Sequence, residues 1–389
     1  MKLGLRRTIL GTAAASFVCM LGVALNGQGQ AAGQAAPERP PMSEEVFKNV
    51  QVLKGIPVNE FMGTMGIFSS SLGMSCEDCH AADDRKWENF QVDNARKRMA
   101  RRMIVMMQEI NKTNFGGRQM VTCYSCHRGA DKPRTASDLT VLYGGVPQPD
   151  PAYVITQAPN QPMPAVILDK YLAAVGGAQK AAALTSFTAQ GTAVGYGPES
   201  AEERKVEIYS KAPAQLTTVI HTGNGDITRV YNGVNAWLAE TLRPVDVLPL
   251  AGKDLEGARA DAMLLLPSNI KTALEKLRVG FSSVIDDQDV NVVQGNTPAG
   301  TVVTLYFDDK TGLLRRMMRY VDSPVGPLVT QWDYENYKDV NGVKMPYKLT
   351  HTWLDGREIM ELTQIRPNVA IPTTRFNKPG PAVAPKPRA

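Results

Sequence analysis

Cys76-Glu77-Asp78-Cys79-His80 and Cys123-Tyr124-Ser125-Cys126-His127 hold every cysteine of this 389-residue chain except Cys19. Two thiols at i and i+3 followed by a His form the attachment signature of a c-type haem, written here twice. The spacing suits the chemistry: two cysteines must reach opposite edges of one rigid ring, and the adjacent His must lie under it to meet the iron. Rival readings fit less well. A zinc ribbon spaces its CxxC knuckles about 15–20 residues apart, whereas 43 residues lie between Cys79 and Cys123. A thioredoxin-like redox pair has one CxxC beside a βαβ pattern, not two CxxCH copies in a helical stretch. Disulfides within each pentad would close very small loops and add little. The pentads therefore predict two covalently bound haem c groups. Cys76, Cys79, Cys123 and Cys126 hold them, and His80 and His127 are the proximal iron ligands.

The amino terminus points to export. Lys2, Arg6 and Arg7 precede an apolar or small stretch, Thr8 to Leu25, and small and polar residues continue to Ala36. This predicts a signal peptide over residues 1–36 and a periplasmic location, where covalent haem is attached. An uncleaved anchor, and with it membrane association, is the alternative, because 18 apolar residues barely span a bilayer. Net charge is +5, or +2 without Lys2, Arg6 and Arg7, which argues against a nucleic-acid partner.

Roughly 350 residues beyond the signal exceed the usual single-domain size. The fold class expected is multidomain: a mainly helical dihaem c-type cytochrome domain, residues 42–145, followed by an α+β domain with a curved antiparallel sheet, residues 165–376. Between them, residues 146–164 hold six prolines and read as an extended linker. Residues 377–389, rich in Pro and Lys, read as a disordered tail.

In the first half, Ser43-Glu44-Glu45 opens a helix with Val46, Val50 and Leu53 on its apolar face. Pro57 opens a second, which carries Phe61, Met62, Met65 and Phe68 and breaks at Leu72-Gly73, just before Cys76. Residues 89–112 form a third, with Met99, Met103, Met106 and Met107 at helical spacing, ending at Gly116-Gly117 before Cys123. Met at such spacing is ordinarily core filler. Yet a haem needs a sixth ligand, and a thioether there raises the potential and closes the iron to other ligands. The remaining His residues, His221 and His351, both lie in the distal half. Arg96, Lys97, Arg98, Arg101 and Arg102 form a basic run. It reads as a solvated face, or as a contact for haem propionates or an acidic redox partner.

Residues 45–130 resemble the cytochrome c subunit of photosynthetic reaction centres. The stretches that carry the resemblance are Asn49-Val50-Gln51-Val52-Leu53-Lys54-Gly55, Leu72-Gly73-Met74-Ser75-Cys76, Ile110-Asn111 and Val121 to Gly129, together with Ala95-Arg96 and Met103-Ile104-Val105-Met106. In that family the axial Met sits on a helix upstream of each motif. The resemblance implies Met65 as distal ligand for the first haem, with Met62 as alternative. For the second it implies Met103, with Met106 or Met107 as alternatives. The four-haem form of the family has a His shortly before its second motif. Here Asn114-Phe115-Gly116-Gly117 stands in that place, and one haem pair replaces two.

The distal half shows alternating segments with turn signals, the strongest at Asn232-Gly233 and Asn341-Gly342. Ser268–Leu277 reads as a helix interrupting the strands. Tyr231-Asn232-Gly233, Trp237 and the turn Phe307-Asp308 to Leu314 make this half similar to lipoprotein-carrier-like half-barrels. That likeness implies an apolar cavity with a lipid or quinone as candidate ligand. His221 and His351 read as lone strand-surface or packing residues.

The function expected is electron transfer by a periplasmic dihaem cytochrome between soluble or membrane redox proteins, without catalysis on a substrate. The alternatives are a haem enzyme or sensor with an open iron site, and a lipophile carrier acting through the distal half.

Overall fold

A computed structural model describes residues 38–80, 87–142, 153–195, 202–241 and 243–382. The signal stretch 1–36, the prolines at 147–151 and the last tail residues lie outside the described residues. Among the described residues, eight α-helices precede the sheet, the first six being α1 (Ser43–Val46), α2 (Val58–Leu72), α3 (Cys76–Cys79), α4 (Ala95–Phe115), α5 (Cys123–His127) and α6 (Leu139–Leu142). Then come α7 (Pro164–Ala174) and α8 (Ala178–Ala183).

The sheet has fourteen strands: β1 (Ser186–Gly195), β2 (Arg204–Lys211), β3 (Gln215–Ile220), β4 (Ile227–Tyr231), β5 (Ala236–Ala239), β6 (Val247–Leu250), β7 (Glu275–Val279), β8 (Ser283–Ile285), β9 (Gln288–Asn296), β10 (Val302–Asp308), β11 (Leu314–Ser323), β12 (Gly326–Val340), β13 (Val343–Trp353) and β14 (Gly356–Pro367). All pairings are antiparallel, in the order β6-β5-β4-β3-β2-β1-β14-β13-β12-β11-β10-β9-β7, with β8 on β9. The chain thus starts mid-sheet, meanders to one edge and crosses over through α9 (Gly252–Leu264). It then meanders back until β14 lies beside β1.

Local chemistry builds these hairpins. Asn341 and Gly342 both take positive φ, 53° and 84°, the twist that a two-residue turn between β12 and β13 requires. One face of the sheet is buried against α7 and α9. Phe187, Leu305, Phe307 and Met317 on that face join Leu168 and Tyr171 of α7 in one apolar core. Such burial is the main favourable term in folding.

The helical segment is seated on the sheet. Val325, in the turn between β11 and β12, is fully buried in a second core with Leu53, Ile67, Ile104 and Met107. Gln119 Nε2 donates to the Ser323 carbonyl at 2.9 Å beside it. The prolyl stretch from Tyr153 onward lies along the sheet edge: the Ala158 N–H donates to the Val279 carbonyl at 2.8 Å, and the Val279 N–H to Gln157 Oε1 at 2.8 Å. Near the carboxyl end, Lys378 Nζ reaches Glu38 at 2.7 Å.

Several elements differ from the sequence reading. The helix expected from Ser43 to Leu53 is one turn, because the backbone becomes extended at Phe47, φ −104° and ψ 142°. The helix expected from residue 89 starts after Asn94, whose side chain accepts from Lys97 N at 2.9 Å and caps it. Ser268–Leu277 is not a helix. A 3₁₀ turn, Pro267–Lys271, leads into β7. Its residues favour helix locally, but pairing with β9 buries Leu274 and Val279 instead, a tertiary override of weak propensity.

Val325→Ala should destabilise the protein by about 1–3 kcal/mol, since the cavity opens between packed elements. Denaturant unfolding followed by far-UV circular dichroism measures this, and an unchanged midpoint contradicts the seating.

Candidate haem site

Helix α2 ends at Gly73, which has φ 64°, and this turn brings the chain directly into α3, the first pentad. Ser75 caps that turn, its N–H donating to Asp78 Oδ2 at 2.8 Å. Asn94 ties the pentad to α4: its Nδ2 donates to the Cys79 carbonyl at 2.7 Å while its Oδ1 caps the helix. Beside the pentad lies a cavity of about 210 Å³ whose walls include Met62, Met65, Cys76, Cys79, His80 and Phe90.

His80 is held in one orientation. Its Nδ1 is 3.2 Å from the Phe90 carbonyl oxygen, and its ring stacks on Phe90 with centroids 4.6 Å apart. A carbonyl can only accept, so Nδ1 carries the proton and Nε2 keeps a free lone pair. Burial, aided by the positive charge of Lys97, lowers the His80 pKa, against a smaller opposing pull from the Phe90 carbonyl. The neutral imidazole is the form that ligates metals.

The second pentad repeats the arrangement. His127 Nδ1 is 3.0 Å from the Ala130 carbonyl oxygen, leaving its Nε2 free in the same way. Thr122 caps α5. Asn111 of α4, 6% exposed, fixes the approach to it. Its Nδ2 donates to the Val121 carbonyl at 2.7 Å, and its Oδ1 accepts from the N–H groups of Met120 and Val121. Cys76, Cys79, Cys123 and Cys126 are all free thiols. Burial pushes the Cys123 thiol up to about 11 and, less strongly, raises those of Cys76 and Cys79.

The pentads are tied to each other. The Gly129 N–H, two residues beyond His127, donates to the Ser71 carbonyl at 2.9 Å. A Cβ on Gly73 would stand 2.5 Å from the Gly129 carbonyl oxygen. The last turn of α2 therefore serves both pentads.

These residues suit covalent haem: free thiols at the required spacing, and a His whose outer nitrogen is already occupied. Of the expected distal ligands, Met65 shares the cavity with His80, and so does its alternative Met62. Met103 is half-buried on α4 and is not part of that cavity wall. Met107, 5% exposed, belongs to the core with Leu53 and Ile67 and is packing. Met99 and Met106 are exposed on α4. Within the basic run, Lys97 and Arg101 line the cavity. Lys97 Nζ donates to the Phe90 and Val92 carbonyls, and Arg101 pairs with Asp93 at 2.7 Å.

Sequence reasoning passed over Phe90 and Asn94. The Asn94 signal was available, an N-cap residue ahead of a helical run. Phe90 acts through its backbone carbonyl, which no residue type announces. Neither distal His stands alone. His221 Nδ1 lies 2.9 Å from Asp226, and His351 stacks on Trp332, with the tilted ring of Trp353 beside it.

Residues 13–166 match the family model of the photosynthetic reaction centre cytochrome C subunit. The same half is similar to the photosynthetic reaction center cytochrome c subunit of Rubrivivax gelatinosus, 32% identical over 128 residues, which cover 31% of each chain. It is also similar to that of Thermochromatium tepidum, 32% identical over 123 residues, covering 31% of this chain and 28% of the relative. The chain thus spans about a third of the length of these curated relatives. Among solved structures, a LolA superfamily protein from Nitrosomonas europaea aligns at TM-score 0.38 and 16% identity, over 55% of this chain and 97% of that one. A putative outer membrane lipoprotein-sorting protein domain from Vibrio parahaemolyticus aligns at TM-score 0.38 and 14% identity, over 54% and 97%.

Gly73 and Gly116 give a matched pair, since both end helices at φ near 60° but only Gly73 faces another backbone. Gly116→Ala should cost about 1–2 kcal/mol of left-handed strain, and Gly73→Ala at least ~1 kcal/mol more from the clash. Equal losses in chemical denaturation would remove the link between pentads.

Proposed function

We propose that this chain is a dihaem c-type cytochrome of the periplasm that passes electrons between redox proteins, with no substrate chemistry of its own. The observation that carries the proposal is the repeated treatment of the two pentad histidines. Each donates Nδ1–H to a backbone carbonyl and presents Nε2, which is how metal-bound imidazoles are oriented and made more basic. The similarity of residues 13–166 to reaction centre cytochromes supports the same reading.

A bound haem c supplies a one-electron iron couple. The protein's residues do the rest. Cys76 and Cys79 anchor one group, Cys123 and Cys126 the other. His80 and His127 would ligate the iron through Nε2, and Met65 on α2 and Met103 on α4 would supply the second protein ligand of each group. The Ser71–Gly129 hydrogen bond holds the two attachment sites to one helix end, which favours exchange between them. The largely apolar walls around His80, with the cationic Lys97 and Arg101 among them, would disfavour the more positive state of a bound iron and so raise its potential. Among the described residues no helix is long and apolar enough to cross a membrane. The partners proposed are soluble redox proteins or membrane proteins met on the periplasmic side.

The test is optical. The purified oxidised protein should show the weak far-red charge-transfer band of methionine-ligated haem. Met65→Ala should remove about half of it and Met103→Ala the other half, since each closes one of two irons. A band unchanged by Met65→Ala reassigns the ligand to Met62. A high-spin spectrum in the unsubstituted protein overturns the electron-carrier reading in favour of an open iron site.

A further inference from the structure

Charge is spread unevenly along this chain. Residues 94–138 carry ten Lys and Arg against three Asp and Glu, an excess of seven, whereas the whole chain has an excess of five. The remainder is therefore net negative by two. An asymmetry of that size within one segment points to a charged partner.

The fold gathers these cations around the second pentad. Helix α4 presents Arg98, Arg102, Val105 and Met106 on one exposed face, at the i, i+4, i+7 and i+8 spacing. Beyond α5 the chain turns back. The Arg134 N–H donates to the Cys126 carbonyl at 3.0 Å, and this loop carries Arg128, Lys132 and Arg134, all exposed. Lys112 and Arg118, on the approach to α5, are exposed as well. Met120 and Tyr124 add exposed apolar surface in the same segment.

Neighbouring carboxylates do not cancel the charge. Asp93 pairs with Arg101 at 2.7 Å and with Arg98 at 3.7 Å, and Asp78 lies near Arg96. Both stand at the start of α4, beside the first pentad. Among the described residues, no other carboxylate is within ion-pair distance of these cations. Glu109, Asp131 and Asp138 are already in the count. On the sheet, Asp322 adjoins Ser323, whose carbonyl Gln119 holds, but Asp322 is paired with Lys253. Setting Asp78 and Asp93 against the excess of seven leaves five, which the two propionates of one bound haem do not exhaust.

Residue type narrows the class of partner. Of the eight exposed cations in the segment, six are Arg. Arg offers a planar fork that matches carboxylates, whereas an anionic lipid surface is met equally well by Lys. Arg, Met and Tyr are the types enriched where proteins meet, and Lys is depleted there. Helices that lie in a membrane surface keep a continuous apolar face. Here Arg98 and Arg102 share a face with Val105 and Met106.

We propose that α4 and the loops flanking the second pentad form the docking surface for an acidic electron-transfer protein, so that electrons enter or leave this chain at the second haem. Each encounter moves one electron, which one partner loses and the iron of the other gains. The charge speeds encounter and sets orientation, while the apolar residues among the cations give close contact. The proposal rests on the dihaem reading and adds to it the charge of the partner and the place where it docks.

Stopped-flow reduction of the oxidised, haem-loaded, full-length protein tests it, with reduced flavodoxin, an acidic electron carrier, as the probe. The second-order rate constant should fall about tenfold or more between low salt and ~0.5 M salt. Lys132→Glu combined with Arg134→Glu should slow reduction about tenfold or more at low salt and flatten the salt dependence. Arg102→Glu should act in the same direction. Lys310→Glu, in the turn between β10 and β11, should leave the rate unchanged. Circular dichroism and haem absorption matching the parent protein certify each variant as folded. A purified protein without haem absorption removes the dihaem reading and this proposal together. A two-haem protein whose reduction ignores salt, or is slowed as much by Lys310→Glu, overturns the docking surface alone. So does binding to phosphatidylglycerol vesicles that the pentad-loop variants lose while their flavodoxin rate stays at the parent value, an outcome that assigns the patch to a membrane.

Discussion

The last turn of α2 is the constraint on which the rest depends. Its Ser71 carbonyl accepts from Gly129 beyond the second pentad, while Gly73 releases the chain into the first. The same helix lies on the sheet: a Cβ on Gly63 would touch Leu328 at 2.8 Å, and one on Gly66 would touch Asp355 at 3.2 Å. Small residues at these positions let a helix approach a strand hairpin closely. One fifteen-residue helix therefore orients both attachment sites, carries Met62 and Met65, and anchors the haem segment to the larger sheet.

On the proposed reading, this arrangement bears on electron traffic. The Gly129–Ser71 hydrogen bond and the close approach of Gly73 to the Gly129 carbonyl hold the two pentads together at the end of α2. Helix α4 adds a second brace from the other side, where Asn94 holds the Cys79 carbonyl and Asn111 holds the approach to Cys123. Such rigidity is what a redox pair requires, because little should move when an electron arrives. The sheet contributes Val325 as a buried peg, so the helical segment gains stability from the larger core-bearing half.

Much of this was legible in the residues. The pentads, the Met-bearing helices and the Asn341-Gly342 turn follow from short-range rules. β14 was harder to read because Glu358 occupies a core-facing position, 3% exposed and paired with Arg229. A charge where the alternation calls for an apolar residue hides a strand. A register shift at Gln190/Gly191 further breaks the pattern opposite β14. Helix α9 buries mainly small residues, Gly257, Ala260 and Ala262, which give little apolar contrast. The half-buried ring cluster of Trp332, His351 and Trp353 is a cross-strand product of β12 and β13, invisible until register is known. The carbonyls that orient His80 and His127 belong to a short 3₁₀ turn, Trp87–Gln91, and to a loop at Ala130, and a backbone carbonyl leaves no mark in residue type.

The central claim is that both irons are closed by protein ligands and serve only to carry electrons. Carbon monoxide tests it directly, since it binds ferrous haem wherever a coordination position is open. When the dithionite-reduced, haem-loaded protein is placed under carbon monoxide, the account predicts an absorption spectrum unchanged at both haems. A carbon monoxide adduct at either haem would contradict it and would make that iron a site of ligand chemistry.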